Sequence, residues 1–210
     1  MHRTRPQHRS PPRPGVVRLG EEHARRHADV WREPVAVAAV RASVDELTRA
    51  LLCEVRSSLG RQLDDAVPVL ILRGGLLMRE ACQHILGDRP WGFVSTAPRS
   101  RGEPARIRCC DVPLPTGPLL LMDPVVNSGQ TIVATTEYLT NRIASLSTHR
   151  LAVVSIFLSE RGENKIRRSY PDMDLFTVYD RLPVRENGWI AGVDFDAGEY
   201  AMGGEAFRIG

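Results

Sequence analysis

Four apolar residues in a row, Leu119, Leu120, Leu121 and Met122, run straight into an acid, Asp123, then a short polar loop and a helical pattern. An unbroken apolar run of this length suits a strand buried on both faces of a parallel sheet. The acid stands where such a strand emerges at its carboxyl end, and ligands of open α/β sheets collect in the crevice outside those ends. Pro124, Val125, Val126, Asn127, Ser128, Gly129 and Gln130 form the loop. From Thr131 the apolar residues Ile132, Val133, Leu139 and Ile143 fit a helix. Strand, acid, small-residue loop and helix together present backbone N–H groups and a helix N-terminus to a phosphate. The same order of elements also describes an ordinary βα turn that binds nothing.

Two better-known phosphate loops are absent. No G-x-x-x-x-G-K-[ST] occurs, and no G-x-G-x-x-G follows an expected strand. Ser128 is not a nucleophile elbow either, because Val126 and Gln130 occupy the positions that motif reserves for glycine.

A second stretch repeats the layout. Residues 67–72 form an apolar run that delivers Arg73, Gly74 and Gly75 at its end, and a helix fits residues 76–85. Glycines let N–H groups approach an anion closely, and Arg73 supplies charge beside them. Residues 91–96 and 106–112 read as strands flanking a polar hairpin or flap that carries Arg99, Ser100 and Arg101. Residues 151–157 read as another buried strand, 160–170 as a helix and 174–179 as a last strand. Alternating strands and helices of this kind predict an α/β fold, an open and mainly parallel sheet with helices on both faces. Earlier, Ser43-Val44-Asp45-Glu46 has the form of a capping box, with a helix running from there to Gly60.

Whole-chain properties set limits. At 210 residues and 42% hydrophobic composition, the chain can bury one good core. No apolar run nears the roughly 20 residues a bilayer span needs, and no apolar stretch follows the charged N-terminus, so a cytoplasmic protein with no membrane partner is expected. A net charge of +3 is too small to argue for nucleic acid. Cys53, Cys82, Cys109 and Cys110 lack C-x-x-C spacing, which favours reduced structural thiols. His23 and His27 are four apart, but Ala24 replaces the glutamate of zinc-peptidase chemistry, leaving two histidines on a solvated helix face. Residues 1–16 are rich in arginine and proline and are expected to be a disordered tail, with residues 17–210 as the folded domain.

Residues 188–204 mix glycines, acids and aromatics with no clean period. Such a segment can wrap a planar ligand or simply cover a sheet edge. Asp194 and Asp196 make a D-x-D, a weak metal pattern.

Three separated stretches resemble one family, uracil phosphoribosyltransferase, a type I phosphoribosyltransferase. The family's D-P-x-x-A-T-G-G-[ST] loop is similar to residues 123–131, its I-L-R-A-G-L loop to residues 71–76, and its closing G-Y-I-V-P-G-L-G-D-A-G-D to residues 188–199. Pro171-Asp172 and Asp180-Arg181-Leu182 fall where the family has P-D and E-R-L. The resemblance implies transfer of 5-phosphoribosyl from phosphoribosyl pyrophosphate to a small heterocyclic base, in a homodimer. It implies Asp123, Arg73 and Arg99 as catalytic groups. The donor would lie against Arg73, Gly74, Gly75, Asp123, Asn127, Ser128, Gly129, Gln130 and Thr131. The base would lie against Ile190, Ala191, Gly192, Val193, Asp194, Phe195 and Asp196. Mg²⁺ would be held through pyrophosphate, with Asp196 a candidate direct contact.

The chain also departs from the family pattern. Asn127 and Gln130 replace small residues of the phosphate loop, Ser100 and Arg101 stand where the flap has acids, and Gly192-Val193-Asp194-Phe195 replaces P-G-L-G. Two further readings therefore stay open: a transferase for a different heterocycle in a specialised pathway, and a non-catalytic nucleotide-binding regulator.

Overall fold

The computed structural model describes residues 16–31, 36–97, 104–144, 146 and 150–203. The expected tail through residue 15 and the flap residues Arg99, Ser100 and Arg101 lie outside them. Among the described residues eight strands make one sheet: β1 (Val16–Arg18), β2 (Val67–Leu72), β3 (Gly92–Thr96), β4 (Ile107–Asp111), β5 (Leu119–Met122), β6 (Val125–Val126), β7 (Leu151–Ser159) and β8 (Asp174–Leu182). Their order is β1-β8-β7-β5-β2-β3-β4, with β6 also paired to β7. Every pairing is parallel except the β3–β4 hairpin at one edge. The α/β fold with an open, mainly parallel sheet is therefore as the sequence predicts.

Side-chain alternation sorts the central strands into two cores. Leu119, Leu121, Leu151 and Val153 pack on one face with Ile132 and Leu139 of α4 (Gln130–Arg142) and Ile166 of α5 (Glu160–Ser169). Leu120, Met122, Ala152 and Val154 pack on the other with Leu47, Leu51 and Leu52 of α2 (Val37–Leu59) and Cys82 of α3 (Arg79–Leu86). All nine residues of β7 are buried, since helices cover both of its faces and strands flank both of its edges. Burial pushes the Cys82 thiol up to about 12, and the four cysteines are free thiols.

Several local expectations are corrected. α2 begins at Val37 rather than at Ser43, and among the described residues no side chain caps it. Ser43 is instead a buried helix-interior residue whose Oγ pairs with Nδ1 of His27 at 2.9 Å. His27 is thus buried and not solvated. It follows α1 (Glu21–Arg26) and leads into a 3₁₀ turn, Ala28–Trp31. That turn drops Trp31 into the core, edge-on to Phe157 at 5.0 Å. Val16, counted in the expected tail, is the first residue of β1 and pairs with Leu175. The helix expected over residues 76–85 is split into a 3₁₀ turn, Gly74–Met78, followed by α3.

The split has a packing cause. A Cβ on Gly75 would lie 2.7 Å from the Met122 carbonyl oxygen and 3.2 Å from the Leu70 backbone. The turn after β2 therefore sits directly on the ends of β2 and β5, at a distance only glycine permits. Gly75→Ala should lower stability by about 1–3 kcal/mol through overpacking, read as a lower urea midpoint with unchanged slope. An unchanged midpoint would show that this contact is not tight.

Candidate active site

β2 and β5 are neighbours, with Leu70 opposite Met122, so both chains leave the sheet at the same edge. Arg73 follows one strand and Asp123 the other. The segment after β5 does not wander. The Asp123 N–H donates to the Val154 carbonyl (3.2 Å), the Pro124 carbonyl accepts from the N–H groups of Ile156 and Phe157 (3.2 and 2.9 Å), and β6 continues along β7. Ser159 Oγ donates to the Asn127 carbonyl and accepts from the Gly162 N–H at 2.9 Å, which also caps α5. Gly129 then turns the chain at φ +69° to start α4. A Cβ there would stand 2.6 Å from the Gly162 carbonyl oxygen, so the position is restricted to glycine by angle and by space.

These turns border a cleft of about 1310 Å³. Of the residues expected to bind the donor, Arg73, Gly74, Asp123, Asn127, Ser128 and Gln130 line it; of those expected at the base, Ile190, Val193, Phe195 and Asp196 do. Gly75, Gly129 and Thr131 stand outside its lining, as do Ala191, Gly192 and Asp194. Asp123 is half-buried at the strand end. Burial pushes its carboxyl up to about 7, against the pull of the Val125 N–H bonded to Oδ1 at 3.3 Å.

Asn127 does something the sequence does not suggest. Its Nδ2 donates to the Gly188 carbonyl at 2.8 Å, and its Oδ1 accepts from Arg161 at 3.0 Å. The side chain ties the loop to the C-terminal segment and to α5, leaving backbone groups to face a ligand. Phe195 lines the cleft and is backed by aromatic packing against Trp31 (5.7 Å), Phe157 (6.0 Å) and Tyr200 (5.3 Å), which closes the cleft floor. The D-x-D carboxylates part company. Asp194 pairs with Arg185 at 2.7 Å, and Asp196 Oδ1 accepts from the Glu199 N–H at 3.0 Å, capping α6 (Ala197–Ala201). No group of three metal-ligating side chains occurs among the described residues.

One wall of the cleft is absent from the sequence reading. Glu160, Arg161, Asn164, Lys165 and Arg168 of α5, with Trp189 from the C-terminal segment, line the same cleft. A signal for it exists: α5 starts where β7 ends, so its first turn opens on the crevice that the other strand ends share, and 161, 165 and 168 fall on one helix face.

A uracil phosphoribosyltransferase family model matches residues 54–193, more than half of the chain. The chain belongs to the uracil phosphoribosyltransferase family. It is 30% identical over 84 residues to the uracil phosphoribosyltransferase of Metallosphaera sedula, covering 40% of this chain and 37% of that one. To the Methanococcus vannielii uracil phosphoribosyltransferase it is 24% identical over 149 residues, 69% of this chain and 62% of the relative. The chain thus spans less than two thirds of either relative's length. In fold it resembles the AQ2163 protein of Aquifex aeolicus (TM-score 0.76, 18% identity, 89% of this chain and 97% of that one). It also resembles the adenine phosphoribosyl transferase of Trypanosoma brucei solved with AMP, pyrophosphate and ribose-5-phosphate (TM-score 0.56, 16% identity, 82% and 86%). The family match contains both strand-end turns and stops before Asp196.

A carboxyl whose pKa is raised in the fold contributes most to stability below its unfolded value of about 4, and that contribution is lost as pH climbs through 7. Asp123→Asn removes the charge that burial opposes. The variant should melt above the parent protein at pH 8, with the gap closing toward pH 4. Equal melting temperatures at pH 8 would mean that Asp123 is not held in a desolvated setting.

Proposed function

We propose that this chain transfers 5-phosphoribosyl from phosphoribosyl pyrophosphate to a ring nitrogen of a uracil-like base, releasing pyrophosphate. The observation that carries this reading is the pair of strand-end turns, Arg73 and Asp123 on adjacent parallel strands, opening into one cleft beside a helix N-terminus. In the transfer, the bond from the anomeric carbon to pyrophosphate breaks, a bond to the base nitrogen forms, and the nitrogen's proton leaves to solvent. Positive charge grows on the anomeric carbon as pyrophosphate departs. Position and electrostatics must therefore supply most of the rate.

Except at Arg99, each role is supported by a group's setting. The backbone from Asn127 to Thr131, at the start of the thirteen-residue α4, takes the 5-phosphate. Asp123 lies beneath the sugar and stabilises the developing cation. Arg73 is exposed and has no ion pair among the described residues, so its guanidinium is available to the leaving pyrophosphate. Arg99 is assigned to the same group from the flap, outside the described residues. The segment around Ile190 to Asp196 offers backbone groups to the base edge.

Mg²⁺ fits this cleft in the manner of phosphate substrates: it keeps waters and takes one or two carboxylates plus the ligand's own oxygens. Asp123 and Asp196 both line the cleft as oxygen donors. When bound, the ion neutralises pyrophosphate charge.

Pyrophosphate release that requires both donor and base is the test. Asp123→Asn should reduce kcat about tenfold or more, and it should abolish a rise in kcat/KM that levels off above pH 7, since that profile reports groups of the free enzyme. A parent-like rate and profile in the variant would remove Asp123 from the reaction. Absence of base-dependent pyrophosphate with every ring tried would remove the transferase reading.

A further inference from the structure

The cleft is larger, and more basic on one side, than a sugar donor and a bare uracil require. At about 1310 Å³ it exceeds the usual range for small-ligand sites, about 300–1,000 Å³. The extra wall is α5. Ser159 caps this helix, Gly162 and Ile166 bury one face, and Arg161, Lys165 and Arg168 share a neighbouring, exposed one. Positions i, i+4 and i+7 on a helix span about 10 Å at 1.5 Å per residue. Glu160 is the one acid of α5 in the cleft lining, against these three cations.

Their partners decide what the wall is free to do. Arg161 is committed only in part, to the neutral oxygen of Asn127. Lys165 and Arg168 make no ion pair or hydrogen bond among the described residues, although elsewhere on α5 Glu163 pairs with Arg181 and Arg167 bonds two carbonyl oxygens. Neither Lys165 nor Arg168 is neutralised by an acid among the described residues. Here they face the cleft instead.

A second observation is independent of charge. Trp189 lines the cleft, is 43% exposed, and makes no ring contact among the described residues. The other aromatic side chains of this end of the molecule, Trp31, Phe157, Tyr179, Phe195 and Tyr200, are all engaged in one cluster. An indole left against open space beside a neutral backbone latch (Asn127 to Gly188) is placed to cover the face of a flat ring.

We propose that the acceptor is an acidic heterocycle, a planar ring bearing a carboxylate, with Trp189 on its face and the carboxylate at Lys165 and Arg161. This rests on the transferase reading above and narrows its substrate class. Arg161 can serve both duties, because a guanidinium has five N–H donors and the Asn127 bond uses one side of the fork. Its tie to the phosphate loop then links acceptor recognition to the loop that holds the donor.

Full-length protein with the donor and Mg²⁺ should be assayed for pyrophosphate with uracil, 5-carboxyuracil and 6-carboxyuracil. The expected result is a kcat/KM for one carboxylated ring at least about tenfold above uracil, since a site built to bind a polar group discriminates against rings that lack it. In Lys165→Ala, whose side chain is exposed, that advantage should collapse through a rise in acceptor KM, and Trp189→Ala should raise the same KM. A preference for uracil that Lys165→Ala leaves unaltered would overturn the proposal while keeping the transferase. If no ring releases pyrophosphate, the transferase reading fails, and calorimetry with the two carboxylated rings decides the site by itself. Binding that Lys165→Ala weakens would support an acidic-ring site, and no binding of either ring would overturn it.

Discussion

The backbone ladder of β7 sets the position of everything chemical in this protein. β5 ends at Met122, yet the chain beyond it keeps bonding to β7 through Asp123, Pro124 and β6 until Asn127. A segment that would otherwise be a loose turn is thereby held at fixed register against a strand buried along its whole length. Ser159, at the far end of the same strand, binds the Asn127 carbonyl and caps α5. One strand thus locates the carboxyl, the Asn127–Gly129 loop and the basic helix together. The turn after β2 is locked to them by Gly75, pressed on the Met122 carbonyl.

Electrostatically the cleft is prepared for an anion. Arg73, Arg161, Lys165 and Arg168 border it, while Asp123 is held near neutrality by burial. Desolvation disfavours the charged form of that carboxyl, and positive charge standing opposite it would favour ionisation. The free protein therefore carries a cost at Asp123 that a cationic transition state would relieve, the arrangement expected where a group's charge matters only during reaction. Stability and function pull this residue in opposite directions.

The strand-end turns are legible in the sequence because an apolar run that stops abruptly at Asp123 or Arg73 marks a buried strand leaving the sheet. Unbroken apolar runs likewise announce a sheet covered on both faces. What stays hidden depends on partners distant along the chain. β1 is three residues long and exists only because Val16 to Arg18 pair with Leu175 to Thr177. His27 and Trp31 are buried by α2 and the sheet, which nothing local to them reveals. Ser43 reads as a cap, but tertiary packing carries α2 back to Val37 through a run of alanine and valine. Phe195 reads as part of a ligand pocket and does line the cleft, but that Trp31 packs behind it shows only in space. Asn127 departs from the family's small residue for a reason visible only in space, the Gly188 carbonyl and Arg161 on either side of it.

The sharpest discriminating experiment is calorimetric titration of phosphoribosyl pyrophosphate, with Mg²⁺ present, into the intact protein and into Gly129→Val. Valine at Gly129 would need a positive φ and would strike the Gly162 carbonyl, distorting the loop without removing any charge. Saturable heat is expected with the parent protein, and its loss in a variant that keeps a cooperative melting transition. No heat with the parent, or parent-like binding in the folded variant, would contradict the claim that these two sheet-edge turns hold the sugar phosphate.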